Sequence, residues 1–136
     1  MLSRHERNEA SVLHFSREKL GDGVHLATVR LRKGENSLFH KHSVTRDTFY
    51  VVSGRLTVTL RLPSSEHQDH YAWIGAVARE VTTTGEHTLH RVTLSPGNLL
   101  VIEPNVIHCA ANLHQEPCHL LCLEGVGEYD FLECST

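Results

Sequence analysis

Apolar and polar residues alternate with a period of two along most of this chain, the spacing of half-buried strands. From Val24 to Arg32, Ala27, Val29 and Leu31 fall on one side and Thr28, Arg30 and Arg32 on the other. The clearest stretch is Arg55 to Leu62, where Leu56, Val58, Leu60 and Leu62 alternate with Arg55, Thr57, Thr59 and Arg61. That pattern predicts a strand with one buried and one wet face. Further strands are predicted over Asp47–Val52, His87–Leu94 and Asn98–Ile102. Val106–Leu113 and Cys118–Leu123 read as a hairpin around His114-Gln115-Glu116-Pro117. Turn signals stand at Lys33–Asn36, Pro63–His70, Thr84–Glu86 and Ser95–Gly97. Tyr71 to Val81 fits neither period cleanly and is expected to be irregular or a weak strand. Short strands with regular turns and no long helical repeat predict an all-β sandwich or barrel, in one domain over residues 1–136.

Composition narrows the function classes. A length of 136 residues is enough to bury a core without disulfides or a structural metal. The formal net charge of −3 supplies no basic field for nucleic acid or an anionic membrane, so neither is an expected partner. The polar start, residues 1–10, is expected to be flexible; it lacks the apolar stretch of a secretory signal, and no apolar run is long enough to span a bilayer. The expected location is cytoplasmic. The four cysteines form no C-x-x-C pair and are expected to be reduced, serving as small apolar residues on strands. Cys109 adjoins His108 in sequence, but strand neighbours point to opposite faces, which argues against a catalytic thiol.

The candidate chemistry is concentrated in His40-Lys41-His42 and Asp47. Two histidines two apart leave one face of an extended strand. Ser43 to Arg46 can turn the chain, so that Asp47, Phe49 and Val51 share a face that looks back at them. Gly54 is expected to turn that strand into the next hairpin, and His108 shares a face with Val106, Ala110 and Asn112. Three imidazoles and a carboxylate suit Fe(II), Mn(II), Ni(II), Zn(II) or Cu(II) and leave coordination positions open. Tyr50 is a candidate acid or base beside such a site, and Asn112 is expected to fix a turn or strand end.

These residues resemble the cupins. The first cupin motif, G-x5-H-x-H-x(3,4)-E-x6-G, is matched by Gly34, five residues, His40-Lys41-His42, four residues, Asp47, six residues and Gly54. The second, G-x5-P-x-G-x2-H-x3-N, is matched by Gly97, five residues, Glu103-Pro104-Asn105, two residues, His108, three residues and Asn112. The resemblance implies a double-stranded β-helix (jelly-roll) barrel with core motifs over 34–54 and 97–112, and a homodimer. It implies a divalent transition metal held by His40, His42, Asp47 and His108, Fe(II) foremost, and a small-molecule substrate. Dioxygenase-type oxidoreductase chemistry is the first expectation; isomerase, lyase or cyclase chemistry, or ligand binding without catalysis, are the alternatives. Three departures stand out. Asp47 is one methylene shorter than the usual glutamate, and either ligates directly or accepts a hydrogen bond from an imidazole. Glu103 and Asn105 replace proline and glycine, and asparagine tolerates positive φ. The span from Gly54 to Gly97 is long, and residues 63–85 are expected to form a lid or an oligomer contact.

Overall fold

The structure, a computed structural model, describes residues 16–63 and 70–134. The start at 1–10 and residues 64–69 of the Pro63–His70 loop lie outside the described residues. The described residues form strands and no helix, so none is long and apolar enough to cross a membrane as a helix. In chain order the strands are β1 (Ser16–Gly21), β2 (Val24–Leu31), β3 (His40–Lys41), β4 (Arg46–Ser53), β5 (Leu56–Pro63) and β6 (Tyr71–Ile74). They continue with β7 (Ala78–Thr84), β8 (His87–Leu94), β9 (Leu99–Ile102), β10 (Ile107–Ala111), β11 (Cys118–Gly125) and β12 (Leu132–Glu133). Two six-stranded antiparallel sheets result: β1-β2-β11-β4-β9-β6 forms the first and β12-β3-β10-β5-β8-β7 the second.

Among the described strands only β1–β2 and β7–β8 are consecutive partners within a sheet; the other consecutive strands lie in opposite sheets. This corrects two expectations. Residues 106–113 and 118–123 do not form a hairpin: β10 pairs with β3 and β5, whereas β11 pairs with β2 and β4. Gly54 likewise leads not into a hairpin but over a corner between β4 and β5. There φ is +77°, and a Cβ would lie 2.2 Å from the Pro117 carbonyl oxygen, so only glycine fits. The reason for both errors is the same. A period of two tells which face a side chain takes, not which sheet the strand joins.

The core fills the space between the sheets. The inward alternates of β5 (Leu56, Val58, Leu60), β8 (Val92, Leu94), β9 (Leu100, Ile102) and β4 (Val51) are essentially inaccessible. Each contributes about 1.5–3 kcal/mol by leaving water. A one-residue slip would turn a whole set outward, so register is firmly held. Tyr71 to Val81, expected to be irregular or a weak strand, forms β6 and most of β7, which are the edge strands at the same side of the two sheets. The Tyr71 hydroxyl and His90 Nδ1, 2.5 Å apart, tie β6 to β8, the neighbour of β7, and the half-exposed Trp73 stacks on Tyr71.

Candidate metal centre

Each candidate ligand is placed by a local feature. His40 on β3 pairs in register with His108 on β10, so both leave the inner face of the second sheet side by side. The chain then crosses to the first sheet, where Asp47, Phe49 and Val51 alternate inward on β4, as their parity predicts. Asp47 therefore faces the histidines across the interior. The motif ends are sewn together: Gly34 N–H donates to the Asn112 carbonyl, and Asn112 N–H to the Glu35 carbonyl. Asn105 takes φ +67°, the conformation expected of the residue at the glycine position, and its N–H donates to the His42 carbonyl. Asn112 is fully buried and structural; its amide donates to the carbonyls of Leu31 and Glu116 and accepts from His114 N–H.

All four candidates are buried, and one donor atom from each of His40, His42, Asp47 and His108 lies within 4.8 Å of the others. The three Nδ1 atoms face backbone carbonyls: His40 that of Leu38 at 2.6 Å, His42 that of Asp130 at 2.5 Å, His108 that of Val106 at 2.8 Å. A carbonyl can only accept, so each Nδ1 carries the proton, and in the neutral ring each Nε2 holds the lone pair. Asp47 Oδ2 sits 2.8 Å from His42 Nε2 and 3.2 Å from His108 Nε2. The first contact is close yet not aligned for donation, and His42 Nε2 and Asp47 Oδ1 are both buried without a hydrogen bond. Such orphaned donor atoms fit a cation at their meeting point.

The charges of the metal-free cluster are strongly coupled. Burial raises the Asp47 carboxyl, but the His42 and His108 imidazoles outweigh it and hold the group ionised, far below the usual carboxylate range. Burial pushes the His42 imidazole down, but the Asp47 carboxylate and the Asp130 carbonyl prevail and raise its pKa to about 9. His40 goes the other way: burial, then the neighbouring His108 and His42, hold it well below 6.5, so it stays neutral.

Beside the cluster lies a cavity of about 70 Å³, walled by Ala27, Val29, Leu31, Phe49, Leu120 and Phe131 and by polar groups that include Glu124. It has room for two or three waters or a ligand of a few heavy atoms. Several contributors are not apparent from the motifs. Phe131 stacks on His40 with ring centroids 4.1 Å apart. Asp130 anchors the segment that carries its own carbonyl to His42: its Oδ1 accepts from Ser43 N–H at 2.8 Å and its Oδ2 from the Ser43 hydroxyl. Glu124, directly across from Asp47 on β11, is buried and accepts from Arg17 Nε at 2.8 Å and Nη2 at 3.3 Å. The Arg17 guanidinium rests 3.9 Å from the centre of the Tyr129 ring. Cys122 and Glu124 approach Asp47 within 4.8 Å, but Arg17 engages both Glu124 oxygens and neutralises that carboxylate.

Tyr50 does not join the site. It alternates with Phe49 on β4 and so projects from the outer face of its sheet, 39% exposed, which removes it as an acid or base there. The four cysteines are free, as expected, and burial pushes the Cys109 thiol up, away from thiolate reactivity.

Comparison with known proteins agrees with this architecture. A family model described as Cupin matches residues 8–124. No curated protein matches the sequence. Among solved structures, an oxalate oxidase superposes with a TM-score of 0.60 at 15% identity, over 82% of this chain and 46% of that one. A mutant of Bacillus subtilis oxalate decarboxylase gives 0.59 at 17% identity, over 82% of this chain and 24% of that one. An uncharacterized conserved protein with a double-stranded β-helix domain from Klebsiella pneumoniae gives 0.59 at 18%, over 90% and 79%. The chain thus spans less than half the length of either oxalate enzyme, and at these identities the likeness is one of fold. With both motifs in place at one end of a double-stranded β-helix, and a family match over most of its length, the chain belongs to the cupin family.

Proposed function

We propose that this chain is a metal-dependent enzyme in which His40, His42, Asp47 and His108 hold a divalent transition metal, Fe(II) foremost, next to a small-molecule substrate. The observation that carries the reading is the common anchoring of the three Nδ1 atoms on carbonyls, with the Nε2 atoms of His42 and His108 beside Asp47 Oδ2 and His40 in the same cluster. That arrangement prepares lone pairs for a cation and is not needed to satisfy the rings as core residues. When bound, such an ion supplies open positions that orient two reactants and, as Fe(II), chemistry with oxygen. The chain's own residues do the rest. Phe49, Leu120 and Phe131 give the cavity an apolar wall beside the cluster, and its volume of about 70 Å³ favours a small substrate. That oxalate oxidase and oxalate decarboxylase share the fold supports a small substrate of this kind.

A second reading, proton-transfer chemistry of the isomerase, lyase or cyclase type on the same metal, draws support from Glu124. It is a buried carboxylate on the cavity wall, directly across from Asp47 and paired with Arg17. Elemental analysis of protein purified without added metal, followed by oxygen uptake after Fe(II) loading, tests the first reading and separates it from the second. Absence of a stoichiometric transition metal before and after loading refutes both. His108→Ala is expected to abolish metal retention while leaving the circular dichroism of the barrel unchanged. Full retention would show that the site lies elsewhere.

A further inference from the structure

The cavity beside the cluster has the wrong charge for an anionic ligand. Among the described residues that line it are two carboxylates, Asp47 and Glu124, and no lysine or arginine. Both acids are buried, and strand pairing sets them side by side in one inward row. A site that takes up a carboxylate or a phosphate meets it with a guanidinium or an ammonium. Here the Arg17 guanidinium stands behind Glu124: it grips that carboxylate through Nε and Nη2, lies against the Tyr129 ring, and is not part of the wall. What the wall offers is acceptors. A carboxylate can accept at about four positions, more than the two that Arg17 takes up on Glu124. Asp47 Oδ2 approaches the histidines, whereas Oδ1 is buried and has no hydrogen bond. Beyond the two acids the wall turns apolar, with Ala27, Val29, Leu31 and Leu120.

We propose that the cavity binds an uncharged hydroxy compound, such as a hydroxyketone or a vicinal diol, and rejects carboxylates, with Glu124 as the residue that discriminates. For one end of the ligand this rests on the metal reading: a carbonyl or hydroxyl oxygen faces the cluster of three histidines and Asp47. The other end rests on the chain alone. There a hydroxyl donates to Glu124, and the carbon skeleton lies against Val29, Leu31 and Leu120. One oxygen of Asp47 and one of Glu124 lie within 4.8 Å of each other, so two oxygens on adjacent carbons reach from the cluster to Glu124. A carboxylate in that place would set like charge against Glu124 in a buried site, where salt screens the repulsion little. An ammonium would instead lie against the bound ion. A neutral donor meets neither penalty and satisfies an acceptor that the cavity otherwise leaves to water.

The test compares hydroxyacetone with glycolate, which match in size and differ by a methyl group against a carboxylate oxygen. Binding to the full chain is read by saturation-transfer NMR, with Zn(II) as a redox-inert ion and again without metal, and metal content is measured in the same samples. Ligands this small are expected to bind in the millimolar range. Hydroxyacetone is expected to bind the Zn(II)-loaded wild type more tightly than glycolate does. Glu124→Gln is expected to lower the ratio of the two affinities by about tenfold or more. Should that variant misfold with Arg17 left uncompensated, Arg17→Gln combined with Glu124→Gln keeps hydrogen-bonding groups at both positions and is expected to lower the ratio likewise. Tighter binding of glycolate to the wild type overturns the proposal. So does hydroxyacetone that fails to bind at about 50 mM, well above the expected range, or a ratio unchanged in a folded variant. A chain that holds no metal refutes the metal reading, and the preference measured on the metal-free chain then decides the ligand class by itself.

Discussion

His42 gives the metal-free and metal-loaded protein opposite responses to pH. In the metal-free protein its pKa is raised to about 9 by Asp47 and the Asp130 carbonyl, against the cost of burial. A group whose folded pKa exceeds its unfolded value stabilises fully below the unfolded pKa, near 6.5, and loses that contribution as pH rises through the folded pKa. At 1.36 kcal/mol per unit, the ceiling on the loss between pH 6.5 and 9 is about 3 kcal/mol. Asp47, held low, adds stability above its unfolded value near 4, lost only as pH falls below it. His40 has the reverse sign from His42: the unfolded chain protonates below 6.5 while the folded ring stays neutral, which subtracts stability on the acid side. Metal binding reverses the alkaline limb, because the ion must displace the His42 proton. At pH 7 the ring is about 99% protonated, so its share of the binding equilibrium strengthens about tenfold per pH unit up to about 9.

Thermal melts of the metal-free chain from pH 6.5 to 9 should therefore decline, while melts with saturating Mn(II) or Co(II) should rise over the same range. Calorimetric titration at pH 7.5 in buffers of different ionisation enthalpy should show about one proton leaving His42 per ion bound. Asp47→Asn removes the main source of the raised pKa, and with it this proton release and the alkaline decline. If metal-free and loaded proteins melt in parallel across this range, or affinity does not change between pH 7 and 9, the assignment of His42 as ligand and of Asp47 as its partner is wrong.

Two further outcomes follow from local geometry. Gly54→Ala should cost about 3 kcal/mol or more, a fall in Tm beyond 10 °C, since a positive φ adds to a 2.2 Å approach to Pro117. Gly34→Ala, at φ +83° but in open space, should cost only about 1–2 kcal/mol, and equal losses on thermal denaturation would refute the steric account. Asp130→Ala unties the Ser43 anchor and frees the carbonyl that orients His42, so metal affinity by chelator competition should drop tenfold or more with the secondary structure intact. An unchanged affinity would mean that His42 is held by its own strand alone.

The parts legible in the sequence are those set by short-range geometry. His40 and His42 share a face because they are two apart. Asp47 faces them because a four-residue segment separates the two strands, and Asn105 can replace a glycine because it tolerates positive φ. What escaped was set at long range. Alternation in Cys118 to Glu124 says that Cys118, Leu120, Cys122 and Glu124 point the same way, but not that β11 lies between β2 and β4 rather than beside β10. Tyr50 is three residues from Asp47 in sequence, but its parity sends it to the outer face of the sheet.

Glu124 shows where the missing signal lay. It is the one charged residue on a strand face otherwise made of cysteine and leucine, and burying it unpaired would cost several kcal/mol. Such a residue must have a cation near it, yet Arg17 is 107 positions away and on another strand, and no local rule connects the two. The lone acid on an apolar face is thus readable as a polar wall in the interior, while its partner is readable only from the order of the sheet. Because β11 also sets Glu124 directly across from Asp47, the strand that the local pattern placed in the wrong sheet is the one that completes the cavity.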